Sequence, residues 1–183
     1  MRKKLREEAG LTLMELMAAT MILTLLVMIL GSGLQMVLNT YETMIAHSET
    51  EILLSTAVDT LADDLRYAWE VGDSNDENVS FIYNSDSYGN ETQLRLSDDG
   101  KLMAEVGEKK LRVLASGVYG SRLAYKEYQV TQLNIDYTRN DETHEIIFTI
   151  VMTVGTADGS ISASTPDGGV TVRCLNPAKV TTP

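Results

Sequence analysis

The chain has 183 residues, enough for one membrane helix and one soluble domain of ordinary size but not for two soluble domains. Its formal net charge of −11 argues against nucleic acid as a partner and favours solubility outside a cell. A single cysteine, Cys174, excludes an internal disulfide, so the fold must be held by its core. We interpret Cys174 as a small buried hydrophobe in a terminal strand rather than as a reactive thiol.

A long uncharged run follows a short basic N-terminus. Residues 16–41 contain no Asp, Glu, Lys or Arg. As a helix rising about 1.5 Å per residue, this run exceeds the roughly 30 Å of a bilayer core. Four basic residues lie within residues 1–6 and the next cation is Arg66, so the positive-inside rule places the N-terminus in the cytoplasm and the rest of the chain outside.

A conventional secretory signal is the alternative interpretation of this N-terminus. The tripeptide Gly31-Ser32-Gly33 could serve as a small-residue cleavage site after an apolar core. An acidic residue inside the segment, Glu15, and a helical pattern that continues beyond Gly33 both count against it.

Glu15 lies just inside the start of the apolar helix, where a carboxylate is costly. Carried to mid-membrane, it would cost about a few kcal/mol, so it needs a partner or a reason. If the chain were cut between Gly10 and Leu11, the new amino group of Leu11 would lie one helical turn from Glu15, on this molecule or on a neighbour. This spacing predicts a charge pair.

These residues resemble the type IV prepilin signature, in which a basic leader and a glycine precede the cut and an apolar helix with an early glutamate follows it. The matching positions are Gly10, Leu11, Thr12, Leu13, Glu15 and Leu16. The departure is Leu11, where the family most often has Phe. The resemblance implies that prepilin peptidase cuts after Gly10 and methylates the amino group of Leu11, and that Glu15 acts in assembly. It implies other pilin subunits, the peptidase and the membrane as partners, and no cofactor. Loss of residues 1–10 would leave 11 basic and 24 acidic residues, a net charge of −13.

Helical spacing resumes after Gly31 and Gly33, which either mark a bend or are merely tolerated. It predicts a helix that continues to about Glu70 and stops at Gly72. The predicted apolar stripe consists of Leu34, Val37, Leu38, Tyr41, Met44, Ile45, Ile52, Leu61, Leu65 and Trp69.

The sequence then turns polar and becomes strand-like. Residues 73–91 predict a loop with one short strand at 79–83, and the acids of residues 73–78 either hold calcium or form a solvated loop. Two-residue periodicity predicts a hairpin over 94–106, strands at 111–115 and around Leu133, Ile135 and Tyr137, and a clear strand at 145–154. Residues 160–164 and 170–175 predict a terminal hairpin around Pro166.

Together these elements predict an α+β, pilin-like fold in which a long N-terminal helix packs on a C-terminal antiparallel sheet. The predicted division is a leader at 1–10, a transmembrane and assembly part at 11–38, an extracytoplasmic half-helix at 39–71, a β-rich domain at 72–176 and a loose tail at 177–183. Residues 61–66, 114–118 and 170–173 loosely resemble J-type pseudopilins and W-type minor pilins.

No catalytic motif emerges from the sequence. His47 and His144 have no partner at metal-ligand spacing, and Asp63 and Asp64 point to different helix faces and form a solvated surface in this interpretation. We therefore predict no enzyme but a minor pilin or pseudopilin, anchored in the cell membrane and then assembled into an extracellular pilus or pseudopilus. That filament would serve secretion, DNA uptake, adhesion or motility. The competing hypothesis is a single-pass membrane protein whose ectodomain binds a ligand or partner without polymerising.

Overall fold

A computed structural model describes residues 12–74, 79, 81–120, 127–140, 142–143 and 145–175. The chain divides into two units, Met1–Thr43 and Met44–Pro183. Helix α1 spans Leu13–Arg66, and an α+β arrangement follows because its C-terminal part packs against antiparallel sheets. The predicted fold class is confirmed at this level.

Helix α1 ends four residues before the predicted position. Its last turn closes with Tyr67 N–H and Ala68 N–H donating to the carbonyls of Asp64 and Leu65. Strand β1 (Trp69–Asp73) begins almost at once and contains Gly72, so the prediction of a helix to Glu70 with Gly72 as its stop is wrong. The residues from Trp69 onward form a strand rather than a helix because they pair with residues 81–84, which lie further along the chain.

The first sheet is a five-stranded antiparallel meander in the order β1-β2-β3-β4-β5. Its remaining strands are β2 (Phe81–Ser85), β3 (Gly89–Leu96), β4 (Leu102–Val106) and β5 (Lys109–Arg112). The predicted hairpin is confirmed because Leu96 pairs with Leu102 and Leu94 with Ala104. The region predicted as a loop with one strand instead contributes β2 and the start of β3.

A 3₁₀ turn (Ser116–Tyr119) precedes the second sheet, which is built around one long strand. Strand β6 (Tyr128–Arg139) pairs along one side of β7 (Ile146–Thr156), and the short strands β8 (Ser162–Ser164) and β9 (Val170–Arg173) pair along the other. The alternation predicted for β7 is confirmed, since its inward side chains are at most 1% exposed: Ile146, Phe148, Ile150, Met152 and Val154.

The predicted terminal hairpin is wrong. Strand β8 pairs with residues 153–155 of β7 and β9 with residues 147–150, so both follow the same edge in the same direction. The turn that ends at Gly169 is therefore an outward loop between two halves of one interrupted strand. Gly169 has a φ of +74°, and a Cβ there would lie 2.7 Å from the carbonyl oxygen of Ile150, which explains a glycine at this return to the edge.

The core of the second unit joins the helix to both sheets. Phe81 of β2 packs against Phe148 of β7 and Tyr137 of β6, with ring centroids 5.3 and 5.6 Å away. The helix contributes a buried stripe that includes small side chains: Ala46, Thr50, Leu53, Ala57, Val58, Leu61 and Leu65. The predicted stripe is wrong in part because Met44 and Ile52 are 65% and 59% exposed.

The two residues that follow β9 contact the segment in which the helix ends. Cys174 is 6% exposed and its thiol donates to the carbonyl of Ala68, while Leu175 N–H donates to the carbonyl of Arg66. The predicted burial of Cys174 is confirmed, but its predicted position in a strand is wrong because β9 ends at Arg173.

Candidate functional site

The N-terminal part of α1 presents an apolar surface with no cover among the described residues. Every large hydrophobic side chain between Leu13 and Tyr41 is at least 50% exposed. In the part of the chain that is described, α1 is the one helix long and apolar enough to cross a membrane. An apolar surface of this extent is rare on a soluble monomer and is typical of surfaces that contact a membrane or another protein.

The few hydroxyl groups in this surface are satisfied within the helix. Thr20 Oγ1 donates to the carbonyl of Met17, Thr24 Oγ1 to that of Thr20 and Ser32 Oγ to that of Ile29, at 2.7 to 3.0 Å. Polar groups in hydrocarbon need such internal partners because no water is available. These hydroxyls therefore do not oppose insertion of the helix into a bilayer.

Glu15 and Thr12 form a capping box at the start of α1. Thr12 N–H donates to Glu15 Oε2 at 3.0 Å, and Glu15 N–H donates to Thr12 Oγ1 at 3.3 Å. The Thr12 hydroxyl also donates to the same carboxylate oxygen, at 3.1 Å. This reciprocal pairing satisfies two backbone donors that a helix start leaves without partners. The negative charge also lies at the positive end of the helix dipole.

The capping box changes the interpretation of Glu15 because its carboxylate already has partners on its own chain. The other two predicted site residues, Gly10 and Leu11, lie outside the described residues, so the charge pair with Leu11 stays a prediction. The role of Thr12 as the cap was missed from the sequence. A Thr followed three residues later by Glu, just ahead of an apolar run, is the signal that could have revealed it.

A second carboxylate, Asp64, joins the helix to the first sheet. Tyr83 Oη and Ser85 Oγ donate to its two oxygens, each at 2.6 Å. Burial and the nearby Asp64 carboxylate raise the pKa of Tyr83 well above its usual range. The predicted solvated role of Asp64 is therefore wrong, whereas Asp63 is exposed and pairs with Arg66 at 3.4 Å.

Two further tyrosines make comparable contacts with carboxylates. Tyr128 Oη donates to Glu49 of the helix at 2.8 Å, and Tyr137 Oη donates to Asp73 of β1 at 2.7 Å. The hydrogen bond from Tyr137 to Asp73, together with burial, raises the pKa of Tyr137. These bonds fasten the helix and β1 to the second sheet, so the carboxylates involved have structural partners.

The other predicted polar sites are only partly described. His47 is exposed on the helix, and His144 lies outside the described residues, as do residues 75–78 of the acidic loop. Across the described ranges, no group of three or more His, Cys, Asp or Glu side chains could hold a metal ion.

Comparison with protein-family models, with curated proteins and with solved structures found no match to this chain.

Proposed function

We propose that this chain is a minor pilin or pseudopilin, a structural subunit that assembles through its N-terminal helix into a type IV pilus or pseudopilus. Prepilin peptidase would cut after Gly10 and methylate Leu11, and the mature subunit would remain in the membrane until its recruitment. The observation that carries this proposal is the exposed apolar surface of residues 13–43, whose length and composition suit contact with lipid or other helices.

Two further features support the proposal. The prepilin-like residues Gly10 to Leu16 immediately precede and begin this apolar helix. The second unit places an antiparallel sheet against the C-terminal part of the same helix, the arrangement that the resemblance implies. The minor-subunit assignment depends on the loose resemblance to J-type and W-type proteins, and the fraction of this chain in purified filaments tests it.

The capping box gives Glu15 a defined role before assembly. In the isolated subunit, Thr12 holds the carboxylate and thereby lowers the cost of placing it near the apolar region. During recruitment, the amino group of Leu11 on a neighbouring subunit would approach the same carboxylate. Removing one member of a desolvated ion pair costs about 3 to 5 kcal/mol, which is sufficient to determine recruitment.

Intact-mass analysis tests processing directly. The expected mature chain lacks residues 1–10 and carries one added methyl group on Leu11. An unprocessed N-terminus would contradict the proposal and favour the single-pass ectodomain, which also requires only one membrane helix.

Paired substitutions of Glu15 separate its charge from its capping role. Glu15→Gln retains an oxygen that can accept from Thr12 N–H, whereas Glu15→Leu removes both functions. If the charge guides assembly, both variants insert and are cut normally but fail to cross-link to neighbouring subunits. Normal cross-linking of the Gln variant alone would assign Glu15 to capping, and normal cross-linking of both would eliminate its assembly role. Thr12→Ser, which preserves the cap, is the matched control.

A further inference from the structure

Strand β6 presents backbone groups without partners along its outer edge. Asn140 N–H donates to the carbonyl of Glu145 at 2.9 Å, and the pairing with β7 is regular from Gln132 onward. Because backbone groups in an antiparallel pair face opposite edges at alternate residues, every second residue of this part turns its N–H and C=O groups away from β7. These outward residues include Leu133, Ile135 and Tyr137. Among the described residues, their outward backbone groups have no hydrogen-bond partner.

An apolar cleft lies beside this segment, which we call the β6 edge (residues 133–137). The cleft has a volume of about 350 Å³ and is lined by residues of β2, β3 and β6 and by Val79. Its lining side chains are mostly apolar: Val79, Phe81, Leu94, Leu96, Leu133 and Ile135. A strand edge next to apolar pockets suits an extended segment, because backbone hydrogen bonds provide affinity and the pockets accept alternate side chains.

The other sheet edges in the described part of the chain are protected against an added strand. Strand β5 carries Lys109, Lys110 and Arg112, and β1 is short and irregularly paired. Strands β8 and β9 are short and are separated by the loop at Pro166. Residues 132–138 of β6 contain no Lys, Arg or Pro, the residues that commonly block an edge. The β6 edge is therefore the one best suited to pair with a further strand.

The C-terminal sequence has the composition of a short strand. Residues 178–182, which we call the tail segment, read Ala-Lys-Val-Thr-Thr and include three β-branched residues. Pro177 and Pro183 flank the tail segment, and proline cannot donate a backbone hydrogen bond. The prolines thus limit a pairing strand to five residues, the length of the β6 edge. The tail segment lies outside the described residues, so its pairing is argued from its sequence.

Antiparallel alignment of the tail segment with the β6 edge gives complementary pairs. It places Val180 opposite Ile135 and Lys179 opposite Asp136. Asp136 is exposed and accepts a hydrogen bond from the Asn134 amide at 3.1 Å, and no cation in the described part of the chain pairs with it. Lys179 is the only charged side chain after Arg173. Opposite charges at directly facing positions stabilise a pair of strands.

The tail segment of the same molecule is too short to reach the β6 edge. Cys174 N–H donates to the carbonyl of Ile146, which places the start of the tail on the side of β7 that faces away from β6. A strand outside β6 is three strand spacings from there, or about 14 Å. The three residues from Leu175 to Ala178 span at most about 11 Å. The tail segment of a second copy has no such restriction.

We propose that the tail segment of one copy binds as an added antiparallel strand at the β6 edge of a second copy, with Val180 over the cleft and Lys179 beside Asp136. The contact joins two different surfaces, so it repeats along a chain of copies or closes as a reciprocal exchange between two copies. It is separate from the proposed function, since it requires neither the apolar surface of residues 13–43 nor cleavage at Gly10.

Disulfide cross-linking of two full-length chains in detergent micelles tests this register. One chain carries Asp136→Cys and the other Lys179→Cys, and both carry Cys174→Ser so that no other thiol is present. The register makes residues 136 and 179 a non-hydrogen-bonded pair with Cα atoms about 4.5 Å apart, a separation that suits a disulfide. We expect roughly tenfold more linked heterodimer than in the control, because only this pair has the required geometry.

The control pairs Gln132→Cys with Lys179→Cys, since Gln132 is exposed on the same face of β6 but lies about 13 Å further along the strand. An excess of a synthetic peptide of residues 176–183 should compete and lower the yield. Thermal unfolding of each variant establishes that its fold is retained.

The proposal is overturned if the yield equals that of the control, if the peptide does not compete, or if the disulfide forms only when both cysteines are in one chain. Intact-mass analysis of the N-terminus reports independently on the proposed function, so either proposal can fail alone.

Discussion

Replacing Tyr83 by Phe removes one hydrogen bond and retains the packing of a buried ring. Tyr83 is 1% exposed, its ring lies 5.8 Å from that of Phe81, and its hydroxyl donates to Asp64 at 2.6 Å. A hydrogen bond to a charged group contributes about 1.5 to 3 kcal/mol to stability, so the free energy of unfolding should fall by about this amount. In urea, with a slope of about 1 to 3 kcal/mol per molar, the midpoint should fall by about 1 M.

The assay is urea unfolding of the full chain in detergent, followed by the fluorescence of Trp69, the single tryptophan. Trp69 reports on the relevant region because it pairs with Asn84, the residue after Tyr83. Tyr41→Phe, at an exposed position of the helix, is the matched control and should leave the midpoint unchanged. A Tyr83→Phe midpoint equal to that of the wild type would show that the bond to Asp64 makes no net contribution.

The same variant predicts a specific dependence on pH. Burial and then the charge of Asp64 raise the pKa of Tyr83 in the folded chain above its unfolded value near 10. A raised folded pKa means that the stabilisation is fully present below about pH 10 and is lost as the unfolded chain ionises at higher pH. The difference between wild type and Tyr83→Phe should therefore be constant from about pH 7 to 9 and should shrink above about pH 10. A difference that persists unchanged at high pH would refute the assignment of the effect to this hydroxyl.

Two further predictions concern packing and backbone conformation in the second unit. Phe148→Ala, at a fully buried position beside Phe81, should destabilise the fold by about 3 to 5 kcal/mol, and urea unfolding that shows a loss below about 1 kcal/mol would contradict its central position in the core. Gly100→Ala should be more destabilising than Gly107→Ala: both glycines have positive φ, but only at Gly100 would a new Cβ lie 2.5 Å from the Cβ of Gln129. Equal melting temperatures for the two variants would show that this close approach relaxes at no cost.

Local sequence patterns were sufficient to predict the elements whose pairing partners lie nearby in the chain or whose periodicity is strong. The apolar run beyond Glu15 predicted a helix long enough to span a membrane, since length and the absence of charge are properties of the segment itself. The alternation in β7 predicted its buried face, because a strand with one apolar face must bury that face. The turn at Gly100 between two alternating segments likewise predicted the β3–β4 hairpin.

The tertiary structure decided where segments with ambiguous local signals belong. The residues after Arg66 could have extended the helix, but pairing with β2 makes them a strand. The turn at Pro166 suggested that the segments on either side of it pair with each other as a hairpin. Instead, β8 and β9 both pair with β7, which is long enough to hold the two strands one after the other along the same edge.

The hydrogen-bond partners and the burial of individual side chains could not be predicted from the local sequence either. Asp64 resembles a solvated helix residue in the sequence, and only the approach of Tyr83 and Ser85 makes it a structural contact. Ala46 and Ala57 carry a weak hydrophobic signal, yet they are fully buried. The physical reason is common to these cases: local pattern determines what a segment can form by itself, whereas strand pairing, close helix packing and buried hydrogen bonds depend on residues that are distant in the chain.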